Sequence, residues 1–489
     1  MEHESGAGKS MQVIFLGASG GPLEDDCTSL LVRSVSLGWS KGSVLAVDAG
    51  VHLSAIDRML QDHNPSTTER PYLLKEGAFA GLELPFKTTG ANAAHIARNL
   101  VGAHLITHPH LDHISGGVIS TASPSSKPRK IAGLASTIEA LKDHIFNDVI
   151  WPNLSDENGG VGLVTFMRLI SGGSSVLGDG PTKGYMEVVD GLAVKSWAVS
   201  HGPCIGSFPC MYSPFYFLRI LNGGSDVSFV ELHQSGSNYM NESGSPRTPI
   251  QKSSSHSHRS HYSPITIPHG SSEGLSFSPA EAARAYTSSA CFIHDITSGN
   301  EILVWGDVEP DSLSLFPRNK QVWQDAAPKI AAGILKGIFI ECSYDDSRPD
   351  DLLFGHLTPR YVVEELKFLA TETEKCREDL RRRGSDRALS SSSPTGNLDM
   401  LKKSITTREK DKKSHPPLAT SANYISSHRR AFGSGVLKGV KIILIHVKDK
   451  LDDKEDPRVN ISKELREYEE ELNFGCEFVV SEKGMSVLL

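Results

Sequence analysis

An α/β fold, built as one large domain and interrupted by two long low-complexity inserts, is what the 489-residue sequence predicts. Three observations carry this expectation. Short apolar runs recur from end to end and stop at glycine or polar turns, as buried strands do. A stretch with helical periodicity lies among them. Strands of the same style resume after each of two stretches whose composition cannot support a core.

The elements follow in chain order. Residues 12–17 (QVIFLG) read as a first strand closed by a glycine turn, residues 29–33 (SLLVR) as a second and residues 44–50 (VLAVDAG) as a third with its turn. Residues 103–107 (AHLIT) form a strand that runs straight into a histidine cluster. Residues 133–146 (GLASTIEALKDHIF) space Leu134, Ile138, Leu141 and Ile145 along one helical face. Later strands are expected at 194–199, 302–305, 337–340 and 441–445. Between about 222 and 279, Ser, Gly, His and Pro dominate, so too little apolar surface is available to offset ordering entropy. Residues 227–232 (VSFVEL) are a candidate strand at the entrance of that insert. A second insert, basic and serine-rich, is expected over 375–428, with Arg381-Arg382-Arg383 near its start. Both are expected to be disordered loops of one domain spanning 1–489.

Composition narrows the function. Acidic side chains number 58 against 50 basic ones, giving a formal charge of −8, which does not favour a nucleic-acid partner. No uncharged apolar run is long enough to span a bilayer. The acidic start Met1-Glu2-His3-Glu4 lacks the basic and apolar regions of a secretory signal. Seven scattered cysteines, without a C-x-x-C pair, fit neither a disulfide framework nor a cysteine zinc knuckle. A reducing compartment is expected, the cytoplasm first and the nucleus as the alternative. Gly6-Ala7-Gly8-Lys9-Ser10 imitates a phosphate loop, but His3 stands where its first glycine belongs and the segment precedes the first strand. The glycine-rich run 17–21 lacks the Gly-x-Gly spacing and reads as a strand-ending turn. His256, His258 and His261 fall in the first insert, without the surroundings that orient metal ligands.

The chemistry concentrates after residue 107. His108-Pro109-His110-Leu111-Asp112-His113 places four potential metal ligands within six residues, directly behind a buried-type strand. In extended chain, side chains two apart point the same way, so His108 and His110 can share one ion. Asp112 and His113 then turn onto a helix and face a second. Imidazole and carboxylate ligands suit zinc, with manganese or iron as alternatives.

This cluster, followed by Ile114-Ser115-Gly116-Gly117, resembles the His-x-His-x-Asp-His signature of the metallo-β-lactamase fold. Within that fold it is similar to the class II cyclic-nucleotide phosphodiesterases of the fungal low-affinity cAMP type. Residues 150–154 (IWPNL) and Ser200-His201-Gly202 fit the same family. The resemblance covers both ordered ends of the chain and departs from the family mainly at the two inserts.

The resemblance implies a four-layer αβ/βα sandwich with two divalent metal ions at the sheet edges. It implies His201 as the partner of His108 and His110 at the first ion and Asp307 as the bridge between ions. His446 would join Asp112 and His113 at the second ion, with His356 as the alternative ligand. The layout of Glu341 and of Gly355-His356-Leu357-Thr358 implies a catalytic role for His356 at the scissile phosphate or leaving oxygen, oriented by Glu341. Asp112 is expected to be needed for catalysis. The implied reaction is hydrolysis of 3′,5′-cyclic AMP, and of cyclic GMP as an alternative, to the 5′-monophosphate. Expected partners are the small cyclic nucleotide, neither nucleic acid nor membrane, with a homodimer left open. The serine-proline sites at Ser245 and Ser393 are candidates for phosphorylation. Residues 208–217 (FPCMYSPFYF) are a candidate wall for the base, or an ordinary buried strand. Two rival readings are an RNA 3′-end-processing nuclease on the same fold, for which the basic insert speaks, and a metal-bound scaffold without catalysis. Retention of all seven candidate ligands disfavours the scaffold.

Overall fold

The computed structural model describes residues 9–63, 69–123, 127–203, 285–390 and 432–489. The expected first insert, its entrance strand, the aromatic stretch 208–217 and both serine-proline sites lie outside the described residues.

The first half of the chain supplies β1 (Met11–Gly17), β2 (Ser29–Ser34), β3 (Val44–Val47), a small ribbon of β4 (Tyr72–Leu73) and β5 (Glu83–Leu84), then β6 (Val101–Leu105), β7 (Arg129–Leu134) and β8 (Val164–Leu169). The second half supplies β9 (Met186–Val189), β10 (Leu192–Pro203), β11 (Ala285–Asp295), β12 (Glu301–Trp305), β13 (Leu335–Glu341), β14 (Lys441–Ile445), β15 (Glu477–Val480) and β16 (Ser486–Leu488). They form two seven-stranded sheets, ordered β16-β1-β2-β3-β6-β7-β8 and β15-β14-β13-β12-β11-β10-β9. The helices are α1 (Leu53–Gln61), α2 (Thr89–His95), α3 (Leu111–Ser120), α4 (Ala135–Ala140), α5 (Asn319–Ala331), α6 (Pro359–Ser390) and α7 (Pro457–Leu472).

Strand period sets the layers. In β12 (EILVW), Ile302 and Val304 point into a core shared with Val13, Phe15 and Leu105 of the other sheet. Leu303 and Trp305 point the opposite way, onto Trp323 of α5, Leu366 of α6 and Ile461 of α7. On the first sheet, Ile14 and Ala46 pack under α1 and α2 through Ile56 and Ala93. Ile106 and Ile131 pack under α3 and α4 through Ile114 and Ile138. The order is therefore helix, sheet, sheet, helix. Central strands buried on both faces read as continuous apolar runs, which is why the sequence exposed them. Each large apolar side chain so buried contributes about 1.5–3 kcal/mol relative to exposure.

Three differences from the sequence reading have physical causes. Residues 133–146 are split, because Gly133 and Leu134 pair in parallel with Arg168 and Leu169. The helix starts at Ala135 and ends in a wide turn over Leu141–Ile145, with Ile138 and Leu141 buried as the periodicity required. The basic stretch from 375 is helical as far as Ser390, so the second insert begins later than its composition indicated. Its Glu, Lys and Arg are strong helix formers, and Lys375–Glu372 and Arg382–Glu378 pair along the helix at 2.7 and 3.5 Å. His201 lies within the long β10 rather than beyond it.

Strand direction positions the site. β3 runs parallel to β6 in the first sheet, and β12, β13 and β14 are mutually parallel in the second. Their carboxyl ends carry Asp48, His108, Asp307, Glu341 and His446 to one rim, the usual place for a site in such sheets. No helix among the described residues is long and apolar enough to cross a membrane.

Candidate metal centre

The seven expected ligands come together in two groups that share one carboxylate. Potential ligand atoms of His108, His110, His201 and Asp307 lie within 4.8 Å of one another, as do those of Asp112, His113, Asp307 and His446. His108 Nε2 stands 3.0 Å from His110 Nδ1. Asp307 Oδ2 lies 3.6 Å from His108 Nε2, 3.5 Å from His201 Nε2 and 3.2 Å from His446 Nε2. Its Oδ1 lies 3.1 Å from His113 Nε2. Asp112 Oδ2 approaches His446 Nε2 at 3.7 Å and His113 Nε2 at 3.9 Å.

These atoms suit a cation. Asp307 Oδ1, His113 Nε2 and His446 Nε2 are buried without a properly angled hydrogen bond, although buried polar atoms are normally satisfied. Burial holds the imidazoles of His108 and His110 below the ordinary range and takes His201 down to about 3, which keeps all three in the neutral form that binds metal. Burial works to raise Asp307, but the facing imidazoles of His446, His113 and His108 outweigh it and hold the carboxyl well below its usual value. The donor set therefore fits divalent metal binding.

The local chain explains how the ligands are aimed. His108 follows β6 by three residues, and His110, in extended backbone, precedes the first turn of α3, which carries Asp112 and His113. Three candidate ligands are oriented by residues that the sequence reading missed. Asp48 Oδ2 lies 2.8 Å from His113 Nδ1, and both its oxygens accept from Thr107, from the backbone N–H and from the hydroxyl, each at 2.8 Å. Thr28 Oγ1 is 2.7 Å from His446 Nδ1, and the Gly355 carbonyl is 2.9 Å from His201 Nδ1. Against burial, Asp307 and Asp48 hold His113 well above the ordinary histidine range. Asp48 and His446 both adopt left-handed backbone, φ 54° and 63°, a conformation more accessible to Asp and His than to most residues. The 17–21 turn has a further use, since a Cβ on Gly20 would stand 2.6 Å from the His446 ring.

His356 sits beside the two groups rather than in them. Its Nδ1 is 3.0 Å from Glu341 Oε1 and 3.8 Å from Asp307 Oδ2. Glu341 is buried, and its oxygens also accept from the backbone of Val308, Leu357 and Ser343 and from the Ser343 hydroxyl. Burial, reinforced by the charge of Asp307, pushes Glu341 up to about 7. Burial first, and then the ammonium of Lys448, hold His356 well below its ordinary value.

Asp48 supplies a first prediction. Partners that orient a metal-binding histidine typically contribute about 10–100-fold to metal affinity. Asp48→Asn should weaken metal retention by that order in a chelator competition, and unchanged retention would exclude the orienting role.

Comparison with known proteins supplies a family and a fold. A model of the family described as class-II cAMP phosphodiesterases matches residues 12–382. A 3′,5′-cyclic-nucleotide phosphodiesterase of Schizosaccharomyces pombe is 28% identical over 361 residues, covering 74% of this chain and 75% of its own length. One from Candida albicans is 24% identical, covering 98% of this chain and all of its own. The crystal structure of unliganded yeast PDE1 aligns with a TM-score of 0.59 at 20% identity, over 98% of this chain and the whole of that one. At that identity the likeness speaks to the fold, which is the metallo-β-lactamase sandwich. The matched span contains six of the seven candidate ligands, His446 lying beyond it, and on that match the chain belongs to the class-II cAMP phosphodiesterase family.

Proposed function

We propose that the protein hydrolyses 3′,5′-cyclic AMP, with cyclic GMP as the alternative substrate, to the 5′-nucleoside monophosphate, and so lowers cyclic-nucleotide signalling. The observation that carries the reading is the pair of ligand groups joined at Asp307. Two divalent cations are the complement for which these groups are shaped, and mixed imidazole and carboxylate donors suit zinc best, with manganese or iron as alternatives. When bound, such a pair supplies Lewis acidity toward phosphoryl oxygens and a nucleophile drawn from water at neutral pH.

The rest of the reaction is assigned to the chain's own groups. His108, His110 and His201 would hold one ion and Asp112, His113 and His446 the other, with Asp307 available to both. His356 protonates the departing ribose 3′ oxygen. Its Nδ1 is committed to Glu341, so Nε2, across the ring, is the atom available to the substrate. Burial raises Glu341 and lowers His356, and a proton held between Glu341 and Nδ1 would leave Nε2 as an N–H donor. Delivering that proton outward while Nδ1 takes the Glu341 proton leaves a carboxylate already braced by three backbone N–H groups. The five described cysteines are free thiols, in keeping with a reducing compartment such as the cytoplasm.

The test is an assay with 3′,5′-cyclic AMP with and without a strong chelator, with an RNA 3′-end substrate run in parallel. Turnover of the cyclic nucleotide should vanish on metal removal and return with zinc. Chelator-resistant turnover, or cleavage of the RNA alone, would overturn the proposal.

A further inference from the structure

A cyclic phosphodiester is an anion, and its hydrolysis product carries one more negative charge. Apart from any bound metal, the groups described at the site supply imidazoles and carboxylates toward it. One ammonium group reaches the same rim. β14 ends at Ile445, His446 turns the chain through left-handed backbone, Val447 is buried, and Lys448 emerges half-buried.

Both ends of Lys448 are fixed by residues that shape the centre. Its backbone N–H donates to the Ser343 carbonyl at 3.0 Å, and the Ser343 hydroxyl donates to Glu341. Its Nζ donates to the Gly20 carbonyl at 2.9 Å. Gly20 lies against the edge of the His446 ring that carries Nε2, the atom facing Asp307 and Asp112. The ammonium is thus tethered to the residue that covers the ligand edge of His446. Its charge bears on His356 more than that of any other residue, and is felt at His110 and Asp112 as well.

Among the described residues the ammonium has no counter-ion. Lys195 and Lys329, also half-buried, each pair with a carboxylate at 2.8 Å. Among the described residues no carboxylate lies within ion-pairing distance of Lys448. The adjacent Asp449 is turned away, accepting from Ser19 Oγ and pairing with Arg458 at 3.0 Å. A half-buried cation bound to one carbonyl retains two of its three donors. Such a group is a point-charge receptor for phosphate.

We infer that Lys448 is a phosphate-recognition residue, whose ammonium binds a non-bridging phosphoryl oxygen of substrate and product on the His446 side of the centre. The assignment rests on the phosphodiester reading of the site. Because the interaction is with charge, it is stronger for the dianionic product than for the cyclic monoanion.

The experiment uses the full-length, metal-loaded protein, with Lys448→Met to remove the charge and keep the stem, and Lys448→Arg to restore it. Inorganic phosphate is titrated calorimetrically, 5′-AMP is measured as an inhibitor, and bound metal is counted. Lys448→Met should weaken phosphate and 5′-AMP binding about tenfold or more, the loss typical of a charged hydrogen bond, and raise the KM for cyclic AMP by less. Metal content should stay at the wild-type value, and Lys448→Arg should recover most of the phosphate affinity. Unaltered phosphate binding in Lys448→Met would overturn the inference. So would a fall in bound metal, which would make Lys448 a support for the His446 loop. The phosphate titration needs no turnover, so it judges Lys448 even if cyclic AMP is not hydrolysed.

Discussion

Asp307→Ala should abolish cyclic-nucleotide hydrolysis, by about 10³-fold or more, and strip the protein of metal. The carboxylate lies within 3.1–3.6 Å of four imidazole nitrogens and belongs to both ligand groups. Metal-ion stabilisation of a phosphoryl transition state contributes several kcal/mol, and each 1.36 kcal/mol is about tenfold in rate. Asp307 is buried, and its removal also takes one of the two carboxylates that flank His113, leaving Asp48. The pH dependence has a definite sign. The native carboxyl is held well below its unfolded value, so its stabilising effect is present above the ordinary Asp range and is lost as pH falls toward the depressed value. Protonation of the ligand set in acid should release metal from the wild type, and the variant should resemble the chelated wild type at every pH. Metal analysis with turnover decides it, and a variant retaining both metal and activity would contradict the bridging role.

His356→Ala should reduce turnover by about 10²–10⁴-fold, the usual contribution of general acid catalysis, while bound metal is unchanged. The distinction matters because the sequence offers two histidines for the last ligand position. Geometry separates them. His446 has its Nε2 buried and unpartnered beside Asp112 and Asp307, with Nδ1 held by Thr28. His356 has its Nδ1 engaged by Glu341. If His356→Ala loses one metal while His446→Ala loses none, the two roles are exchanged. The conservative Glu341→Gln keeps a hydrogen-bonding partner at Nδ1 without a carboxyl proton. It should retain metal and show a smaller loss of rate than His356→Ala.

Much of the centre was legible because its chemistry is local. Four candidate ligands fall within six residues after a strand, and β14 (KIILI) has the bounds that its apolar run dictates, with His446 next. Strands buried on both faces announce themselves without any knowledge of their neighbours. What was not legible depends on pairing. Asp48 ends an apolar strand and looked like part of a turn. It becomes an orienting residue only because β3 lies beside β6, with Asp48 N–H bonded to the Leu105 carbonyl. Thr28 meets His446 across 418 positions of sequence, and nothing in either neighbourhood signals it. β11 begins at Ala285, six positions after the low-complexity stretch, and its polar first half (AYTSS) carries no apolar run to announce it. The helical end of α6 was missed because a basic, serine-rich composition was read ahead of the propensity of its Glu, Lys and Arg.

The two sheets contribute to the centre unequally but jointly. His108, His110, Asp112 and His113 follow β6 of one sheet, while His201 lies in β10 and Asp307 and His446 follow β12 and β14 of the other. Cations held there would rivet the halves of the sandwich across their seam. Anything that binds only the native arrangement adds its binding free energy to folding. Occupancy of the centre and cohesion of the sandwich would thus be linked, so that metal starvation should lower stability along with activity.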